Sequence, residues 1–134
     1  LTDADTELLD SAKALLESAR AHYDKQAFSL ALAEQWKVLH DANAYFADMA
    51  PWVLRKEDPE RMSVVLAVTL DVVRRVALLA QPVMPDAMTR MLDVLGVQEG
   101  AMRTFAAFDS PVEAGTELPK PQPIFPRYEE PKDS

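Results

Sequence analysis

Proline placement constrains this chain more than any other feature. Proline lacks a backbone N–H and clashes with the preceding turn, so it opens or closes a helix and does not sit inside one. Pro51, Pro59, Pro82 and Pro85 cut the first 96 residues into helical blocks, and seven of the ten prolines lie beyond residue 84. Between these cuts, apolar residues recur at three- and four-residue steps, the period of a helix. The first block runs from Asp3 to Tyr23 after a capping Thr2, with a stripe of Leu8, Leu9, Ala12, Leu15, Leu16, Ala19 and Tyr23. Asp5, Glu7, Asp10, Lys13, Glu17 and Arg20 fall on its other face, read as solvated.

The second block, Gln26 to Met49, carries Phe28, Leu32, Trp36, Leu39, Phe46 and Ala50 at the helical period and ends at Pro51. Asp58-Pro59 restarts a helix, with Asp as N-cap and Pro in the first turn. Met62, Val65, Leu66, Val68, Thr69, Val72, Val73, Val76, Leu79 and Ala80 make that block apolar around much of its girth, as in the middle of a bundle. Its β-branched run would suit a strand, but more than 20 residues without a break favour a helix. Pro85-Asp86 opens a fourth, short helix through Met88, Met91, Leu92 and Leu95, stopped by Gly96. The expected fold class is therefore all-α, with four helices over residues 1–96. Residues 97–134 read as an extended tail packed back on the bundle, anchored by Ile124 and Phe125 and frayed at its end.

Composition excludes several functions. With no cysteine there are no disulfides, thiolate metal sites or thiol nucleophiles. No apolar stretch approaches the length of a membrane span and no secretory leader pattern opens the chain, so a cytoplasmic location is the default expectation. A net charge of −8 argues against a protein that grips nucleic acid over a broad surface. Any such role must rest on a small local site.

Few residues could carry chemistry. His22 and His40 lie on different helices with no nucleophile or metal ligands at a meaningful spacing. Glu57, Asp58 and Glu60 read as the acidic first turn of a helix. Trp36 falls on the apolar stripe and is expected in the core. Trp52 follows the helix-ending Pro51, with Arg55 and Lys56 just beyond. A tryptophan beside two cations suits the stacking of a single-stranded base and the holding of its phosphate; residue chemistry alone favours the plainer reading, a plug at the end of the bundle. Asn43 shares the stripe of Leu39 and Phe46, so it is expected as a buried structural amide that must find partners.

The order of these residues resembles a known family. Asn43-Ala-Tyr45-Phe-Ala-Asp-Met-Ala50-Pro51-Trp52-Val-Leu54-Arg-Lys56 is similar to the N-x-Y…P-W-x-L-x-K pattern of methionyl-tRNA synthetases. Gln81-Pro82-Val83-Met84-Pro85 resembles that family's helix junction. Leu118-Pro-Lys-Pro121-Gln-Pro-Ile-Phe125-Pro126-Arg127-Tyr-Glu129 resembles its closing segment. The likeness spans nearly the whole chain, from about residue 3 to 130.

The resemblance implies a helical bundle of the class I aminoacyl-tRNA synthetase anticodon-binding type. It implies docking on the anticodon loop of tRNA(Met), with Trp52 and Pro51 stacking on the first base of the CAU triplet. Arg55 and Lys56 would supply cations. It also implies a catalytic domain elsewhere in the parent, where ATP and Mg would bind during methionine activation, because this chain has no HIGH-type or KMSKS-type signature. No catalytic residue, cofactor or metal is expected in this chain, and neither DNA nor a membrane is an expected partner. The family's base-edge readers lie on a helix upstream of Leu1, and its loss should uncover Val65, Val68 and Val72. Ala44 stands where many members have a basic residue. Two rival readings remain: a stand-alone helical module binding a partner helix, with Trp52 as a hot spot, or the anticodon domain of a sister class I synthetase.

Overall fold

The computed structural model describes residues 1–131. Among them it contains five α-helices: α1 (Asp3–Asp24), α2 (Phe28–Met49), α3 (Pro51–Glu57), α4 (Pro59–Ala80) and α5 (Pro85–Val94). Two short 3₁₀ turns follow, Ala101–Arg103 and Phe105–Ala107. The four expected blocks are all present, and α3 is additional. Pro51 both stops α2 and occupies the first position of a new helix, where its missing N–H is harmless.

Helix α1 starts on a capping box. The Thr2 hydroxyl accepts from the Asp5 backbone N–H at 3.4 Å, and Asp5 Oδ2 accepts from the Thr2 N–H at 2.9 Å. Leu8, Ala12, Leu15 and Ala19 are buried as the stripe requires. Asp5 is not on a solvated face: it is fully buried.

Helix α2 turns a different face inward from the one its large residues suggest. Ala31, Gln35, Val38, Ala42 and Tyr45 are buried, while Phe28 and Trp36 are exposed, Trp36 at 44%. At roughly 100° per residue the two stripes lie about a quarter-turn apart. Small residues on the inner face let α2 approach α1 and α4 closely, and the bulky stripe is left on the flank. Gln35 is stabilised there by a relay: its Nε2 donates to Tyr23 Oη at 3.1 Å, and Tyr23 donates to the Leu79 carbonyl at 2.6 Å. That relay ties α2, α1 and α4 together.

Helix α4 is the central element, packed against α1, α2, α3 and α5. Asp58 caps it by accepting from the Arg61 N–H at 3.1 Å. Val65, Val68 and Val72 are fully covered, contrary to the expected gap, because α1 and α2 close over them. The large apolar residues of α4 left exposed are Leu66 and Leu70. Arg74 and Arg75 are buried and paired. Asp71 accepts from both, and Arg74 also donates to the Ala107 and Phe108 carbonyls at 3.2 and 2.8 Å. Phe108 lies under the Arg75 guanidinium at 4.8 Å, so this pair fastens residues 105–108 to the bundle.

Gly96, at φ +73°, ends α5 in the left-handed region that glycine enters without penalty. Leu118 and Thr116 pass so close that a Cβ there would meet them at 3.0 and 3.2 Å. Beyond residue 117 the described chain is exposed except at Ile124, whose carbonyl accepts from Arg90 at 3.2 Å. Phe125, expected as an anchor, is 66% exposed.

Candidate nucleic-acid interface

Helix α3 is short and begins from a strained joint. Ala50 takes φ 45° and ψ 64°, the left-handed conformation, and serves at once as the last cap of α2 and the first of α3. Its carbonyl accepts from the Val53 and Leu54 N–H groups at 2.9 and 3.2 Å, so the turn into α3 is hydrogen-bonded despite the strain. Pro51 is buried at the joint and Leu54 is half-buried. Those two, at i and i+3, set the inward face of α3.

The other face carries the side chains of interest. Trp52 is 59% exposed, which rules out the plug reading. Its ring rests against Phe46 at 6.0 Å between centroids and 59° between planes, leaving much of the indole open to solvent. Arg55 and Lys56 stand three and four residues on, on the same side of α3 as Trp52. Both are exposed, and neither forms a salt bridge with another described residue. One indole face with two free cations beside it is a stacking platform with local positive charge.

Asn43 is not the buried amide expected from its stripe. It is exposed and makes no side-chain hydrogen bond to another described residue, because the stripe itself is the outer flank of α2. It stands one turn before Phe46, the residue that supports Trp52. The structure thus brings Pro51, Trp52, Arg55 and Lys56 onto one short helix, and Asn43 onto the neighbouring flank. His22 pairs with Glu34 at 3.1 Å, and His40 is exposed. No group of His, Cys, Asp or Glu that could hold a metal occurs among the described residues.

Sequence reasoning missed a polar cluster behind this surface. Asp5 accepts from Arg61 through both oxygens, at 2.5 and 2.8 Å, and from Tyr45 Oη at 2.6 Å. The Arg61 guanidinium holds the Asp5 carboxyl well below the usual carboxylate range. Burial, together with the Asp5 hydrogen bond, pushes the Tyr45 hydroxyl up to about 12. The only sequence signal was Thr2-Asp-Ala-Asp5, a capping-box spacing that says nothing of Arg61.

Comparison with known proteins gives the family of the chain. Residues 1–133 match the family model described as the anticodon binding domain of methionyl tRNA ligase. A methionine–tRNA ligase of Brucella suis is 46% identical over 129 residues, covering 96% of this chain and 25% of that protein. The enzyme of Mycobacterium tuberculosis is 48% identical over 134 residues, covering 97% of this chain and 26% of its own length. The crystal structure of that organism's methionyl-tRNA synthetase in its free state superposes with a TM-score of 0.91 at 48% identity, covering 98% of this chain and 27% of that one. A second structure, in complex with methionyl-adenylate, gives a TM-score of 0.91 at 46% identity, covering 95% of this chain and 26% of that one.

Fold and family model together define an all-α anticodon-binding domain. The chain belongs to the methionyl-tRNA ligase family, within its anticodon-binding domain, and spans about a quarter of the length of the curated relatives it matches.

Proposed function

We propose that this domain recognises the CAU anticodon of tRNA(Met) by stacking one splayed anticodon base on Trp52. The observation that carries the reading is the exposed Trp52 indole, propped by Phe46 on a proline-started helix, with Arg55 and Lys56 on the same side. Base–aromatic stacking is tolerant of sequence, so Trp52 supplies affinity, and selectivity requires polar groups at the base edge. The exposed Asn43 amide is one such group within the chain. Arg55 and Lys56, both exposed, supply the cations for the phosphates that flank the stacked base.

A small stacking site reconciles RNA binding with a net charge of −8, since little of the affinity then rests on phosphate neutralisation. In the parent enzyme, methionine is attached to this tRNA with ATP and Mg at a catalytic domain outside the chain, and this domain contributes the choice of tRNA. No described helix is long and apolar enough to cross a membrane, and the proposed work belongs in the cytoplasm.

Replacing Trp52 tests the reading. Trp52→Ala should weaken binding of a CAU stem-loop by about 1–3 kcal/mol. The fold should lose only about 1 kcal/mol, for the contact with Phe46, whereas a buried tryptophan would lose about 3–5 kcal/mol. Stem-loop titrations beside thermal melts separate the two. Unchanged RNA binding with a large drop in stability would refute the stacking role.

A further inference from the structure

We propose that Asp5, Tyr45 and Arg61 form a positioning cluster that fixes the orientation of α3, and hence of Trp52, toward the RNA. This rests on the base-stacking reading above.

Helix α3 is joined closely to its neighbours at both ends. It is only seven residues long, and one residue separates it from a long helix on each side, Ala50 before it and Asp58 after it. Both joints are non-helical, Ala50 at φ 45° and Asp58 at φ −150°, so the helix could pivot unless both ends are held. Burial of Pro51 and Leu54 fixes which face points inward but not the direction of the axis.

Arg61 holds both ends. Its backbone N–H donates to Asp58 at the far joint, at 3.1 Å. Its guanidinium reaches Met49 Sδ at 3.4 Å, the residue directly before Ala50 at the near joint. The same guanidinium forks onto Asp5 at 2.5 and 2.8 Å, and Asp5 in turn accepts from Tyr45, one turn before the near joint. Asp5 is itself fixed, because its Oδ2 accepts from the Thr2 N–H at the cap of α1. The two joints of α3 are therefore tied to one fully buried carboxylate on α1. A two-pronged guanidinium bond fixes direction as well as distance, which a single point charge does not. None of the three residues is on the exposed face of α3, so they act on RNA only through Trp52.

The test uses the whole chain, labelled with 15N, and reads the indole N–H signals of Trp52 and Trp36 separately. Tyr45→Phe removes one hydroxyl and leaves the ring; Arg61→Lys keeps the charge and removes the fork. Each is measured for melting temperature, for indole motion by heteronuclear relaxation, and for affinity to a CAU stem-loop well below its melting point. The expected result is increased motion at Trp52 with Trp36 unchanged, and affinity reduced about threefold to tenfold, Arg61→Lys more than Tyr45→Phe. Lower melting temperatures with Trp52 motion and affinity both unchanged would overturn the proposal and leave the cluster a purely structural one. If Trp52→Ala itself binds RNA like the parent chain, the stacking reading fails separately. The relaxation of the Trp52 indole then still decides whether the cluster orients α3.

Discussion

The two indoles of this chain illustrate what spacing can and cannot say about a residue. Trp36 keeps the period of Leu32 and Leu39 and reads as core, yet it stands 44% exposed, because period alone does not reveal which of two apolar faces a helix buries. Trp52 was legible as special from its neighbours Pro51, Arg55 and Lys56, and those four residues do meet on one short helix. Asn43 failed for the same reason as Trp36: both lie on the outer flank of α2. Asp5 was illegible, since its partners Tyr45 and Arg61 are 40 and 56 residues away. Its hydrogen-bonded pairing with Arg61 leads to a pH prediction. The folded-state pKa of Asp5 is depressed, so its stabilisation is fully present above its unfolded value of about 3.9 and is lost as pH falls below it. Asp5→Asn should therefore be clearly less stable than the parent chain at pH 7. The gap should close by about 1.4 kcal/mol per pH unit below about 3.9. Tyr45 has the opposite sign: its contribution holds below pH 10 and fades as pH rises toward about 12. Urea melts of both chains at pH 7 and pH 3 check the acid limb; a gap independent of pH would contradict the assigned ion pair.

At the scale of elements, the long helices were readable because propriety of period, cap and proline coincided. Thr2 caps α1, Asp58 caps α4, and Gly96 ends α5, each where its chemistry places it. Helix α3 was not readable. Seven residues are too few for a periodic signal, and its start depends on Ala50 entering the left-handed region, which no alanine advertises. That joint carries its own prediction. A left-handed alanine costs about 1–2 kcal/mol, while glycine pays back about 0.5–1 kcal/mol in unfolded-state entropy. Ala50→Gly should thus stabilise the chain by roughly 0.5–1 kcal/mol. A raised urea midpoint with an unchanged slope would show it. A destabilised variant would mean that the joint is not strained. Helix α4 was correctly placed at the centre, but the surface expected to be open at Val65, Val68 and Val72 is closed by α1 and α2. The open apolar surface lies instead at Leu66 and Leu70, and at Trp36 of α2.

For the whole molecule, the all-α class and the family were legible because the prolines and the Pro51-Trp52 signature are fixed in order along the chain. The way the tail crosses Gly96 and the buried Arg74–Arg75 pair were not, since both arise from contacts between distant segments. An acidic molecule that binds RNA through one stacked base should show a shallow salt dependence. Two phosphate contacts, at Arg55 and Lys56, give a slope of about −1.4 in log affinity against log salt, from roughly −0.7 per contact on a single strand. A slope several times steeper would point to a broad basic surface and would contradict a single small site. The stacking itself can be observed directly. Trp52 becomes the only indole after Trp36→Phe, since the chain has two tryptophans. Its emission should be quenched saturably by a CAU stem-loop. Saturable binding of the CAU loop with Trp52 emission unchanged would contradict the account.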